Sequence, residues 1–294
     1  MSINTIVFTL ARMNPPTPGH LYLIQRLIEQ GISKDVNKVY VILSKTNDNN
    51  ENPIQCLDKI KVLGTNEDVS KTMIKTLKEK MILNTSDPLL KQKINDIMVE
   101  CICVPNEPRA TPFTPLFLIA EGKPNVHLFM VIGDDRANLL DSITDYFFKW
   151  DTVTSVDGLI LERPNMGEFK KISSNPEEIA SLNMADVPIG AISASFVRNL
   201  VRNNLRDKFI ELYSPYLDIA KISLLYESIL EGLRLPSNKK KEAIGKPLKY
   251  KYPMIKNTKK GGRKKSIRRK KSIRRKKSIR RKKSIRRKKS IRRK

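Results

Sequence analysis

Apolar positions along residues 1–233 fall into two alternating patterns. Apolar, β-branched runs at 4–10 (NTIVFTL), 38–45 (KVYVILSK), 99–104, 126–132 and 156–161 read as strands, and a run apolar at almost every position, such as 38–45, suits a strand buried on both faces. Between them the spacing is helical. Leu21, Leu23, Ile24, Leu27 and Ile28 mark one helix, stopped by Gly31, and further helices are predicted over 53–63, 113–121 and 135–149. Residues 65–98 are mostly helical in pattern and Lys-rich; they read as an insertion packed on the surface, with a lid over a bound ligand as the alternative. From 193 to 233 the pattern is helical only. Strands alternating with helices predict an α/β fold with a parallel sheet covered on both faces, and 294 residues leave room for one large domain of this kind.

Charge divides the chain. The net charge is +27, of which a surplus of 24 lies on 259–294 and 6 on 239–258, leaving −3 for residues 1–238. A nearly neutral body therefore carries a basic tail, which excludes a chain that is basic throughout. The tail repeats KKSIRR five times between Lys264 and Arg293. Six residues advance a helix by about 600°, so successive isoleucines would stand about 240° apart and form no stripe. With four like charges per repeat and little apolar surface, residues 264–294 are expected to be disordered, joined by a linker at 234–263 to a domain at 1–233.

Such a run binds polyanions. Residues 261–294 lack aromatics, so contact with nucleic acid through 259–294 is expected to be blind to sequence; a nuclear-localisation role and a mere solubility effect are the alternatives. Three cysteines, Cys56, Cys101 and Cys103, are too few for a disulfide framework; Cys101 and Cys103 alternate in a strand and read as a reduced core pair in a reducing compartment. No run approaches the roughly 20 apolar residues of a membrane span, and no signal-peptide pattern opens the chain. A soluble, intracellular protein without membrane contact is expected, cytoplasmic or nuclear.

Two short motifs carry candidate chemistry. Thr17-Pro18-Gly19-His20 sits where the first strand ends and the first helix begins, a place where α/β sheets bind anions. Gly19 would let a phosphate approach the backbone, and His20 can donate to a phosphoryl oxygen; a helix cap is the bland alternative for His20. Ile192 to Leu205 (ISASFVRNLVRNNL) places Ser193 and Ser195 near a helix start, with Arg198 one turn on. Hydroxyls and a forked cation suit a polyphosphate, although an N-cap serine and a solvated arginine have the same spacing.

Together these motifs resemble the nucleotidylyltransferase superfamily, whose patterns are written (H/T)xGH and ISxTxxR. Thr17 takes the permitted variant of the first position, and Ser195 keeps the hydroxyl where Thr is usual. ARMNPPTPGH and LSKTNDNNENPIQCLDKIKVL are similar to parts of phage and giant-virus nucleotidylyltransferase-like proteins, and VIGDDRANLLDSITDYFFKW with GLILERPNMG is similar to the GxD…W…RP pattern of nicotinamide-mononucleotide adenylyltransferases. The resemblance covers about 4–215. It implies a Rossmann-like doubly wound parallel sheet with C-terminal helices, and transfer of a nucleoside monophosphate, AMP from ATP first among them, onto a phosphate-bearing acceptor such as nicotinamide or nicotinate mononucleotide. Were the chain viral, a place in the virion would follow.

By that resemblance Thr17, His20 and Arg198 would be catalytic, and Gly19, Ser193 and Ser195 would hold phosphates, with Mg²⁺ bound through the substrate phosphates. Lys45, past the second strand, could reach a phosphate. Asp134 could meet ribose hydroxyls, with an N-cap role as the alternative. Asp135, Arg136 and Arg163 are candidate acceptor ligands. Trp150 and His127 read as packing residues. The alternatives are cytidylyl transfer to a phosphorylated alcohol, a nucleotide-binding module without turnover that the tail tethers to nucleic acid, and a nucleic-acid-binding or virion-packaging protein.

Overall fold

The computed structural model describes residues 3–47, 51–65, 68, 70–147, 150–162, 175–187, 189 and 192–234. Five parallel strands form one sheet: β1 (Asn4–Ala11), β2 (Lys38–Leu43), β3 (Met98–Cys103), β4 (Val126–Gly133) and β5 (Val153–Leu161), in the order β3-β2-β1-β4-β5. Val7 pairs with Val39 on one side and Phe129 on the other, and Val39 pairs with Val99. This is a Rossmann-like α/β fold. Arg163 and the tail lie outside the described residues.

β1 is central, and successive side chains leave it for opposite faces. Val7 joins Ile24, Leu27 and Val39 in one core, whereas Phe8 and Leu10 join Ile42, Leu128 and Met130 in the other. The first face is covered by α1 (Pro18–Ser33) and the second by α5 (Thr114–Ala120) and α6 (Asn138–Phe147). Trp150 packs edge-on against Phe117, with ring centres 4.2 Å apart, and against Phe147 at 4.9 Å. The insertion supplies α3 (Met73–Leu83) and α4 (Pro88–Asp96), which lean on α1 and bury Leu77 and Ile94.

After α7 (Pro176–Ser181), the last third of the described chain forms α8 (Ala194–Arg202), α9 (Arg206–Tyr213) and α10 (Ile219–Arg234). Their apolar sides, with Phe196, Leu200, Phe209, Tyr213 and Ile229, complete the α1-side core. The strand order turns back between β1 and β4, so the carboxyl ends of these two strands flank the crevice where open α/β sheets take ligands.

Two expectations need adjustment. β5 starts at Val153, three residues before its apolar run; as an edge strand it exposes Thr154, Ser155 and Asp157, and polar positions hid its beginning. Cys103 is not half of a reduced pair: it is bonded to Cys56, with Cα atoms 5.9 Å apart. Cys56 opens α2 (Cys56–Leu63), which packs on β3, and the crossover brings together residues 47 apart in sequence. Closing a loop of this length stabilises a fold by on the order of 4 kcal/mol in the chain-entropy picture. The inference to a reducing compartment loses its support. Cys101 remains a thiol, which burial pushes up to about 12.

No helix among the described residues is long and apolar enough to cross a membrane. Gly232 of α10 lies against the Pro53 carbonyl, where an added Cβ would collide with backbone. Alanine in a helix ordinarily gains about 1 kcal/mol over glycine, but overpacking against fixed backbone costs about 1–3 kcal/mol. Gly232→Ala should therefore lower the unfolding free energy despite its better propensity, as urea denaturation will read; an increase would mean that α10 moves freely off the 51–55 loop.

Candidate functional site

Past β1 the chain must turn within Arg12-Met13-Asn14-Pro15-Pro16-Thr17, and its two prolines, the first after a cis bond to Asn14, bring no backbone donors. Its carbonyls are instead held by side chains from three other elements. Lys59 Nζ of α2 donates to Arg12 O at 3.0 Å and to Ser44 O, beyond β2, at 3.1 Å. Arg198 of α8 donates through one terminal nitrogen to Asn14 O at 2.8 Å. Tyr213 of α9 donates to Pro16 O at 2.6 Å. The Asn14 side chain accepts from Ile54 N–H at 2.9 Å and donates to Ile54 O at 3.0 Å, which ties the loop to the 51–55 segment.

Thr17 is the N-cap of α1, and its hydroxyl lies 3.0 Å from the Ile192 carbonyl as its donor. This contact joins residues 175 apart in sequence and brings the two motifs to one place. Gly19 has a part in the same junction. A Cβ there would stand 2.6 Å from Ile192 O and 3.1 Å from Ile189 O, so glycine is required for the approach of the second motif's backbone. This packing constraint stands beside the reason read from the sequence, access for a phosphate, since Gly19 also borders the cleft.

The His20 ring is oriented by its own turn. Nδ1 accepts the Thr17 backbone N–H at 3.0 Å and has the Thr17 hydroxyl at 2.9 Å. With Nδ1 an acceptor, this geometry assigns the ring proton of the neutral imidazole to Nε2. In the second motif Ser193 is the N-cap of α8, accepting Phe196 N–H at 3.1 Å, and Ser195 Oγ accepts from Arg198 at 3.0 Å. Both serines use lone pairs within the protein, which leaves their hydroxyl protons for a ligand. Arg198 is 8% exposed, far from the solvated arginine that its spacing also allowed.

These groups line one cleft of about 350 Å³ at the strand-order reversal, within the usual range for small-molecule sites. Its floor is Thr9, Leu10 and Ala11 from β1, Ile132 and Gly133 from β4, and Leu161 from β5. Thr17, Gly19, His20, Ser193, Ser195, Arg198, Asp135 and Arg136 all border it. Lys45 and Asp134 do not: Lys45 donates to Glu107 O at 2.6 Å across the β2–β3 edge, and Asp134 accepts the N–H of Asp135 at 2.8 Å. Arg163 is outside the described residues. His127 stands at the β4–β5 edge, 3.0 Å from Asp157, away from the cleft lining.

The comparisons with known proteins add nothing to this geometry: no family model matches the chain, and no curated protein matches it.

Reading the sequence missed Asn14, Lys59, Thr9 and the rim residues Arg12, Glu51 and Glu162. Asn14 could have been found as the polar residue of a proline-rich turn beside the first motif. Thr9 and Lys59 give no such signal, because nothing local marks a threonine inside a strand or a lysine on a helix as buried. Thr9 Oγ1 is buried in the cleft floor with no hydrogen-bond partner among the described residues. Arginine and carboxylate alternate on the rim, with Arg12 3.9 Å from Glu51 and Arg136 Nε 3.9 Å from Asp135. No group of three or more His, Cys, Asp or Glu side chains converges among the described residues. Mg²⁺ on a triphosphate needs none, since it takes phosphate oxygens, waters and at most one or two carboxylates.

Lys59 is fully buried, and desolvation lowers its ammonium from 10.5 to about 8. Between these values the unfolded chain binds one more proton than the folded chain, so this lysine's contribution to stability rises with pH across that window and is level well below it. The difference in unfolding free energy between wild type and Lys59→Met should therefore shift in favour of wild type between pH 7 and pH 9.5. Parallel urea titrations read this, and a pH-independent difference would show that the ammonium is solvated. In the same assay Gly19→Ala should lose about 1–3 kcal/mol as the two motif backbones are forced apart.

Proposed function

We propose that the chain is a nucleotidylyltransferase, transferring AMP from ATP onto a phosphate-bearing acceptor with release of pyrophosphate. One observation carries the reading: the Thr17 hydroxyl meets the Ile192 carbonyl, and the two phosphate-type motifs close a single cleft at the carboxyl ends of β1 and β4. In this reaction an acceptor phosphate oxygen attacks the α-phosphorus in line, a new P–O bond forms, and the bond to the β-phosphate breaks as pyrophosphate leaves. The nucleophile is already an anion, so no general base is required. The task of the protein is to position two phosphates and to neutralise the charge that builds on the α-phosphoryl oxygens.

His20 suits that task as a neutral donor, because Nδ1 is engaged by Thr17 and its proton is on Nε2. Ser193, Ser195 and the amides of the first turn of α8 present donors to the β- and γ-phosphates, with Arg198 beside them as the cation. Mg²⁺, when it arrives with the triphosphate, would supply further positive charge there. ATP rather than CTP follows from the resemblance of 131–164 to the adenylyl-transferring branch. Cytidylyl transfer remains the alternative, and Trp150, one element of that resemblance, is engaged in the aromatic core.

Pyrophosphate release with Mg²⁺, crossing ATP and CTP with mononucleotides and phosphorylated alcohols, tests the reading. One nucleotide–acceptor pair should turn over, and His20→Ala should lower kcat by about 100- to 1000-fold while the variant still folds, as circular dichroism will read. Full activity in that variant would remove His20 from the mechanism. Triphosphate binding without turnover across the panel would favour a binding module instead.

The tail supports a second, separate function. Its 24 cations on 259–294, without a carboxylate, favour sequence-independent contact with nucleic acid phosphates. Affinity for random duplex DNA should fall with log salt at a slope of about −0.9 per phosphate neutralised, and deletion of 259–294 should flatten it while leaving pyrophosphate release unchanged. A slope that survives the deletion would place the contact on the body.

A further inference from the structure

A second cavity lies beside the cleft. Tyr22 borders both the cleft and this second cavity, a groove of about 590 Å³ along the outer side of α1. Ile189 links them too, since its carbonyl backs onto Gly19 and the residue also lines the groove. Tyr22, Gln25, Glu29 and Ile32 lie on one stripe of α1 at helical spacing, so the groove runs about 15 Å down the helix from the turn that carries His20. The insertion forms the opposite wall with Leu77 and Met81 of α3 and Leu90 and Ile94 of α4.

The lining is mainly apolar, and its charges already have partners. Glu29 accepts from Arg26 at 2.7 Å and from Gln25 at 2.9 Å, and the Lys80 ammonium stands 4.2 Å over the Tyr216 ring. At the junction with the cleft, Tyr22 and Ile189 are 37% and 47% exposed, large apolar groups facing water where the two cavities meet. A highly charged ligand would gain nothing along this wall, whereas a weakly polar chain would bury surface along its whole length.

Given the transferase reading, on which this step rests, the acceptor's phosphate must lie near His20 and the rest of the molecule must leave the cleft. We propose that it leaves past Tyr22, and that the groove binds the arm of the acceptor. The acceptor class is then a phosphate monoester with an elongated, largely apolar arm, in place of the compact mononucleotide that the resemblance suggested. This gives the insertion a function: α3 and α4 build the wall that selects the arm.

Binding of ethyl, hexyl and decyl phosphate, and of decanol, measured by calorimetry on the full chain, tests the groove independently of turnover. Affinity should rise by about fourfold for each added methylene that becomes buried. Decanol should bind more weakly than decyl phosphate because it lacks the anion held in the cleft. Met81→Glu and Leu90→Glu, at partly exposed wall positions, should remove the length dependence and leave ethyl phosphate binding as in wild type. If either variant unfolds, the wild-type series still decides. Equal affinity from ethyl to decyl overturns the groove, and decanol binding as tightly as decyl phosphate overturns its continuity with the cleft. Failure of the transferase reading would look different: decyl phosphate binds with the expected length dependence, yet no nucleotide and no phosphate ester in the series gives pyrophosphate.

Discussion

A proline-rich turn with its carbonyls held from outside is the constraint on which this structure depends. Arg12 O, Asn14 O and Pro16 O accept from Lys59, Arg198 and Tyr213, side chains of α2, α8 and α9. Buried carbonyls left without partners would cost about 1–3 kcal/mol each, so the turn keeps its shape only while all three helices are docked. Helix docking and site geometry are thus one event. The same logic accounts for a buried lysine with no acid beside it among the described residues: Lys59 bears a desolvation penalty large enough to lower it to about 8, and in exchange joins the ends of β1 and β2.

Arg198 joins the turn after β1 to the second motif through one side chain. One terminal nitrogen is committed to the Asn14 carbonyl and the other reaches Ser195, which fixes the guanidinium plane beside the cleft. A lysine could not hold both partners in that fork. Gly19 is similar, since the missing Cβ that admits the Ile192 backbone also allows the first turns of α1 and α8 to face one cavity. The disulfide between Cys56 and Cys103 anchors the start of α2, three residues before Lys59, and so fixes the helix from which the lysine reaches the turn.

Polarity differs between the cleft and the groove beside it. The floor is strand ends with mostly apolar side chains, the rim carries arginines and carboxylates, and the groove past Tyr22 is mainly apolar between α1 and the insertion. Under the proposed function, a triphosphate and a weakly polar arm would meet different surfaces, the first in the cleft and the second in the groove that shares Tyr22 with it. The basic tail has a different physics, in which charge density matters and shape does not.

By itself the sequence determined the alternation of strands and helices, the separation of a neutral body from a basic tail, and the two motifs with their hydroxyl, imidazole and guanidinium groups. These are local properties, fixed by hydrophobic period, Gly and Pro placement and charge counting. The start of β5, the partner of Cys103 and the burial of Thr9, Asn14 and Lys59 were decided by tertiary structure. So were the placement of Lys45 and Asp134 away from the cleft and the packing reason for Gly19. Each depends on which segments distant in sequence come to lie together, as when residues 175 apart meet at the Thr17 hydroxyl. A helix pattern shows that a lysine sits on a helix; only the packed structure shows whether water can reach it.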